Sequence, residues 1–205
     1  MMLQTNHQAQ LNGNKMVRIY VVDNGGQWTH REWRMLRDLG VETKIVPNNI
    51  FFDELIKEDI NGLVLSGGAP RIGLDGNLGN THEMLKKANF PILGICAGHQ
   101  YMARFFGGSV KPAKNPEFGK IELNILNEYE IFKELPKKSI VWESHNDEVT
   151  KLPINFICLA ESESCKIQAM KHKNKPFYGL QFHPEVEHTE YGELVFQNFI
   201  KICEK

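Results

Sequence analysis

Residues 92–108, "ILGICAGHQYMARFFGG", pass from an apolar run into a helical pattern through a turn that sets a cysteine between glycines. The pattern predicts a strand over 92–95 and a helix over 97–106, stopped by Gly107 and Gly108. Cys96 then sits where the strand turns into the helix. Gly94-Ile95-Cys96-Ala97-Gly98 has the form G-x-nucleophile-x-G, in which a sharp turn exposes the reactive atom and flanking glycines relieve the crowding. A helix N-terminus favours a thiolate, and the N–H of the following residue, Ala97, faces a developing oxyanion. The stretch taken alone also fits a buried strand end with a glycine turn. A base elsewhere in the chain has to decide.

Apolar bursts and helical patterns alternate upstream of this turn. Strands are expected over 17–22, 41–46 and 60–65, the first running into Asn24-Gly25-Gly26 and the third into Ser66-Gly67-Gly68. Helices are expected over 28–39, 52–57 and 81–88. Downstream, strands are expected over 121–126, 140–142, 156–160, 167–172 and 177–182, before an amphipathic helix over 191–203. Strands alternating with helices indicate an α/β fold of three layers: a mostly parallel central sheet with helices on both faces, flavodoxin-like. Residues 16–205 form one domain on this reading. Residues 1–15 are polar and are expected to be a disordered extension.

Composition narrows the setting. The chain has 205 residues, 24 Lys plus Arg against 25 Asp plus Glu, and a formal net charge of -1, which argues against bulk attraction to nucleic acid or membrane. Its four cysteines lie far apart with no metal-site spacing, so free thiols, no bound metal and a cytoplasmic location are expected.

The segment "GLQFHPEV" (179–186) supplies the base. Pro184 should end the strand, and His183 and Glu185, two apart in extended chain, point the same way. A carboxylate beside an imidazole fixes its tautomer and stabilises its charged form. The other histidines have weaker contexts; His99 follows the turn by three residues. Cys96, His183 and Glu185 are therefore the expected triad of a cysteine acyl hydrolase or amidase. Gly68 can supply a second oxyanion donor. Gln100 lies one helical turn after Cys96. Ser144, His145, Asn146 and Asp147 follow an expected strand and could bind an amino-acid head group.

Together these motifs resemble the class I glutamine amidotransferases. The likeness rests on GxCxGxQ at 94–100, His-x-Glu at 183–185 and the SGG turn at 66–68, in that family's pattern from residue 17 to the C-terminus. It implies attack of Cys96 on the glutamine side-chain amide, with His183 protonating ammonia and Glu185 orienting His183. It also implies Gly68 and Ala97 as oxyanion donors, Gln100, Ser144, His145 and Asn146 as substrate-binding residues, and Asp147 facing a partner. The stretches "VVDNGGQWTHR" (21–31), "SHNDEV" (144–149) and "HPEVEHTEYG" (183–192) resemble the members that hand ammonia to an ATP-pyrophosphatase subunit, which adenylates XMP. No SGGVDS-like phosphate loop occurs in the chain, so the resemblance implies that ATP and Mg²⁺ belong to that partner and that this subunit binds no cofactor. Two departures stand out: Ala97 replaces a bulkier family residue, and Ala69 precedes Pro70 where SGGP is usual. The alternatives are a glutaminase serving an anthranilate or aminodeoxychorismate synthase-like partner, a peptidase-type cysteine hydrolase, and a binding subunit without turnover.

Overall fold

The strand before Cys96 and the strand before His183 are neighbours. In a computed structural model describing residues 16–205, β4 (Ile92–Ile95) pairs in parallel with β9 (Phe177–Leu180), Ile95 beside Leu180. The extension expected over 1–15 lies outside the described residues. Nine strands form one sheet among those residues, in the order β2-β1-β3-β4-β9-β8-β7-β5-β6. β1 (Ile19–Asn24), β2 (Ile45–Pro47) and β3 (Gly62–Gly68) join β4 and β9 in a parallel half. β5 (Ser109–Ile125), β6 (Lys138–Lys151), β7 (Phe156–Glu161) and β8 (Ala169–His172) add an antiparallel half, so the sheet is mixed.

Strand alternation builds the layers. Ile19, Val21, Val64 and Leu93 pack on one face, with Leu36 of α1 (Thr29–Asp38) and Phe196 and Phe199 of α5 (Gly192–Cys203). Tyr20, Val22, Leu63, Leu65 and Ile92 pack on the other. There they meet Leu55 of α2 (Phe52–Leu55), Leu85 of α3 (Thr81–Lys87) and Met102 of α4 (Ala97–Phe105). Both faces of the parallel half are thereby covered, as its near-continuous apolar strands require.

The long β5–β6 hairpin departs most from the expected short strands at 121–126 and 140–142. Pro112, Pro116 and Gly119 weaken the strand signal of its first arm. They are tolerated because β5 pairs with β7 only at Asn124 and Ile125, and a bulge falls between Pro112 and Glu117. The register of β6 then decides which way the 144–147 segment points.

His99 of α4 is fully buried, with its ring against Gly179. Burial lowers its pKa from 6.5 to about 3. Below pH 6.5 the unfolded chain takes up a proton that the folded chain refuses until about pH 3. Acid should therefore remove stability, at up to about 1.4 kcal/mol per pH unit. Urea midpoints measured from neutral pH to about pH 5 should fall more steeply for the wild type than for His99→Gln. Parallel curves would contradict this.

Candidate active site

The elbow is built as its glycines suggest. Cys96 has φ 48° and ψ -104°, a strained setting for a side-chain-bearing residue that costs on the order of 1–3 kcal/mol. Two backbone bonds hold it there: its N–H donates to Leu180 O at 2.8 Å, and its carbonyl accepts from Gln100 N at 3.0 Å. A Cβ at Gly98 would collide with the carbonyl oxygen of Leu65, so only glycine lets α4 start this close to β3.

β9 ends at Leu180, and the chain turns at Pro184 with the N–H of His183 donating to Trp142 O at 3.0 Å. Thr189 Oγ1 closes the turn, donating to His183 O at 2.7 Å. Inside it, Nδ1 of His183 and Oε1 of Glu185 are 2.7 Å apart, with both side chains buried. Burial opposes charge on His183, but the Glu185 carboxylate and hydrogen bonding with Cys96 outweigh it. They raise the imidazole well above its usual pKa. The ring of Trp28 packs edge-on against His183 at 4.4 Å. A Cβ at Gly67 would stand 3.2 Å from Cε1 of His183 and 3.6 Å from Cβ of Cys96, which shows how tightly β3 approaches the pair.

These groups wall a cleft of about 270 Å³, lined among others by Gly26, Trp28, Gly68, Ala69, Cys96, Ser144 and His183. It lies beyond the carboxyl ends of the parallel strands, where such sheets bind ligands. Gly68 stands in its wall, and Ala97 opens α4, whose first N–H groups have no intrahelical acceptor.

Several expected substrate contacts lie elsewhere. The 144–147 segment is strand, not loop, so its residues alternate: Ser144 faces the cleft and Asn146 is exposed, whereas His145 and Asp147 turn inward. Asp147, expected to face a partner, is 3 % exposed and held by a bidentate Arg71 guanidinium and the Gly73 N–H. His145 meets Glu117 at 2.9 Å. Gln100 is also buried, its Nε2 donating to Asp147 O at 2.6 Å and to Gln181 Oε1 at 3.0 Å. Gln181 in turn donates to Sγ of Cys96 at 3.6 Å. Gln100 thus supports the thiol through Gln181 rather than lining the cleft.

Four residues near the pair were not singled out from sequence: Trp28, Glu32, Glu143 and Gln181. Gln181 carried a usable signal, because it stands two before His183, and in extended chain residues two apart point the same way. Glu32 and Glu143 are deeply buried acids. Burial and neighbouring carboxylates, Glu185 for Glu32 and Glu117 for Glu143, hold both well above the ordinary carboxyl range. Glu117, His145 and Cys165 bring possible metal-donor atoms within 4.8 Å of one another. Glu117 already accepts from Ser162, Ser164 and Gln168, so the cluster has the chemistry of a buried hydrogen-bond network.

A cysteine elbow, a carboxylate-held histidine and a cleft between them suit acyl transfer through a thioester. The family profile described as "Glutamine amidotransferase class-I" matches residues 20–203. The chain belongs to the class-I glutamine amidotransferase family. Among its amidotransferase relatives, the A-subunit of the glutamine-hydrolyzing GMP synthase of Thermoplasma acidophilum is 54 % identical over 92 % of this chain and 94 % of its own length. That of Pyrococcus abyssi is 51 % identical over 90 % and 98 %. A crystal structure from Thermoplasma acidophilum, described as a GMP synthase A-subunit protein, superposes with a TM-score of 0.87 at 55 % identity, covering 92 % of this chain and 94 % of that one. A glutamine amidotransferase from Thermotoga maritima, at 21 % identity and TM-score 0.69 over 91 % and 82 %, shares the fold.

Proposed function

We propose that this chain is the glutaminase subunit of a two-subunit GMP synthase, hydrolysing glutamine and passing ammonia to an ATP-pyrophosphatase subunit that converts XMP to GMP. The observation that carries the reading is the buried His183–Glu185 contact beside a strained Cys96, in a chain 54 % identical to the A-subunit of a GMP synthase.

The Cys96 proton rests on His183, whose imidazole Glu185 keeps charged, and Sγ attacks the side-chain amide carbon of glutamine as a thiolate. The tetrahedral oxyanion lies at the Gly68 and Ala97 N–H groups. Collapse breaks the C–N bond, and His183 returns its proton to the leaving nitrogen, releasing ammonia. His183 then takes a proton from water, which attacks the thioester and frees glutamate and the thiol. Glu185 accepts Nδ1–H throughout and offsets the imidazolium charge. Gln181 steadies the sulfur. Ser144 and Asn146 remain for the glutamine head group. ATP and Mg²⁺ act in the partner. Among the described residues no helix is long and apolar enough to cross a membrane, which fits a cytoplasmic enzyme.

The reading is tested with amide-¹⁵N glutamine, XMP, Mg-ATP and a GMP-synthase ATP-pyrophosphatase subunit. The expected result is GMP carrying ¹⁵N on its exocyclic nitrogen, with faster glutamate release when the partner holds XMP and ATP. Glutamate release that ignores the loaded partner, with no labelled GMP, would assign the glutaminase to another synthetase.

A further inference from the structure

One backbone carbonyl fixes the polarity of the side-chain relay behind Cys96. Asp147 O takes Nε2 of Gln100 at 2.6 Å and Nδ1 of His145 at 3.0 Å. A carbonyl oxygen can only accept, so Gln100 turns its amide nitrogen toward Asp147; the opposite end would set two oxygens face to face. The second N–H of that nitrogen goes to Gln181 Oε1 at 3.0 Å, which leaves the Gln181 nitrogen for Sγ of Cys96 at 3.6 Å. The sulfur also meets Ser144 O at 3.9 Å, but a carbonyl has no proton to give a thiolate. Gln181 and His183 are therefore its side-chain donors among the described residues.

The Asp147 carbonyl is itself held from outside the cleft. The buried carboxylate of Asp147 accepts Nε and Nη2 of Arg71 at 2.5–3.0 Å and the Gly73 N–H at 3.0 Å. Arg71 is half-exposed and opens the 71–76 turn. Arg104, in the last turn of the helix that starts at the elbow, donates to Ile72 O and Gly76 O and keeps that turn in place. A Cβ at Gly73 would stand 2.7 Å from the carbonyl carbon of Lys111, so the turn is pressed against β5. We propose that Arg71 is a positioning residue: by holding the Asp147 carboxylate it fixes the Asp147 carbonyl, and through Gln100 it keeps the donor end of Gln181 on the sulfur. Its effect on turnover rests on the glutaminase reading; its hold on the sulfur does not. The fork is bidentate, so it sets the direction of the carboxylate as well as balancing its charge. Without Arg71, Asp147 is a buried carboxylate left with one N–H, and it shifts toward water, carrying its carbonyl with it. Gln100 and Gln181 are then free to turn over, and an amide oxygen facing Sγ repels a thiolate.

The test is a double-mutant cycle of Arg71→Met with Gln181→Met. It is read in glutamate release and in alkylation of Cys96 by iodoacetamide at neutral pH, followed on the peptide that contains Cys96. Arg71→Met should lower both rates roughly fivefold or more in the wild-type background. In the Gln181→Met background, where no amide is left to turn, it should change them by less than about twofold. Gln100→Met provides a second background with the same expectation, since it cuts the relay one step earlier. Effects that multiply would place the influence of Arg71 elsewhere, such as the Gly68 turn three residues before it, and would overturn the proposal. So would an Arg71→Met protein that keeps both rates within about twofold of wild type. Alkylation needs no glutamine, so uncoupled alkylation rejects the relay, whereas a wild type that releases no glutamate rejects only the glutaminase reading. If circular dichroism shows Arg71→Met unfolded, the cycle is run with Arg71→Lys, which keeps a charge beside Asp147 without the fork, and the same outcomes decide.

Discussion

Cys96→Ala protein is expected to release glutamate from glutamine roughly 10⁴–10⁶-fold more slowly than wild type, with or without its partner. The size follows from chemistry: alanine has no atom that can form the thioester, so the whole covalent route closes. What remains is direct attack of water on an unactivated amide, assisted only by binding and the oxyanion donors. The fold should survive, because alanine has the same Cβ as cysteine at this strained φ and fills no new space. Unchanged circular dichroism and urea midpoint, alongside lost turnover, separate a chemical defect from a structural one. Persistent partner-dependent GMP formation from glutamine would instead make Cys96 a structural residue and favour a binding subunit.

His183→Ala should cost on the order of 10²–10⁴-fold in glutamate release. The smaller loss reflects what survives, a thiol in a preformed cleft with Gln181 still beside it. Every proton transfer of the reaction loses its carrier, and Glu185 becomes a buried acid without the partner that holds it 2.7 Å away. Stability should therefore fall as well, and its pH dependence should identify the cause. Because the folded-state pKa of His183 is raised, its contribution is fully present below pH 6.5 and is lost as pH rises through the higher folded value. The wild-type advantage over His183→Ala in urea midpoint should shrink toward alkaline pH. A constant difference would mean that packing of the ring against Trp28, not the ion pair, holds this corner together.

The elbow and the His-x-Glu pair were legible in sequence because each is a local signal. Glycines on either side of Cys96 report a tight approach, and Pro184 reports a strand end. Most of the parallel half was legible for a similar reason, since β1, β3, β4 and β9 are short apolar runs, whereas the strand expected over 41–46 is only the short β2 at Ile45–Pro47. Other features depended on register. Whether His145 and Asp147 face outward is decided by the pairing of β6 with β5, and the prolines of β5 hid that hairpin. Asp147 thus reads as a surface acid in sequence and lies under Arg71 in the fold. Glu32 was hidden differently: an acid in the first turn of a helix ordinarily serves the helix dipole. Only its place on the same face as Thr29 and Leu36 hints at burial.

The measurement that tests the central claim most directly is mass analysis of the wild-type protein acid-quenched during glutamine turnover, followed by proteolysis. The expected result is a γ-glutamyl adduct on the peptide containing Cys96. It should be absent from Cys96→Ala and removed by hydroxylamine, as a thioester must be. Full-rate glutamate release with Cys96 unmodified, or an adduct confined to Cys158, Cys165 or Cys203, would contradict the role given to the elbow.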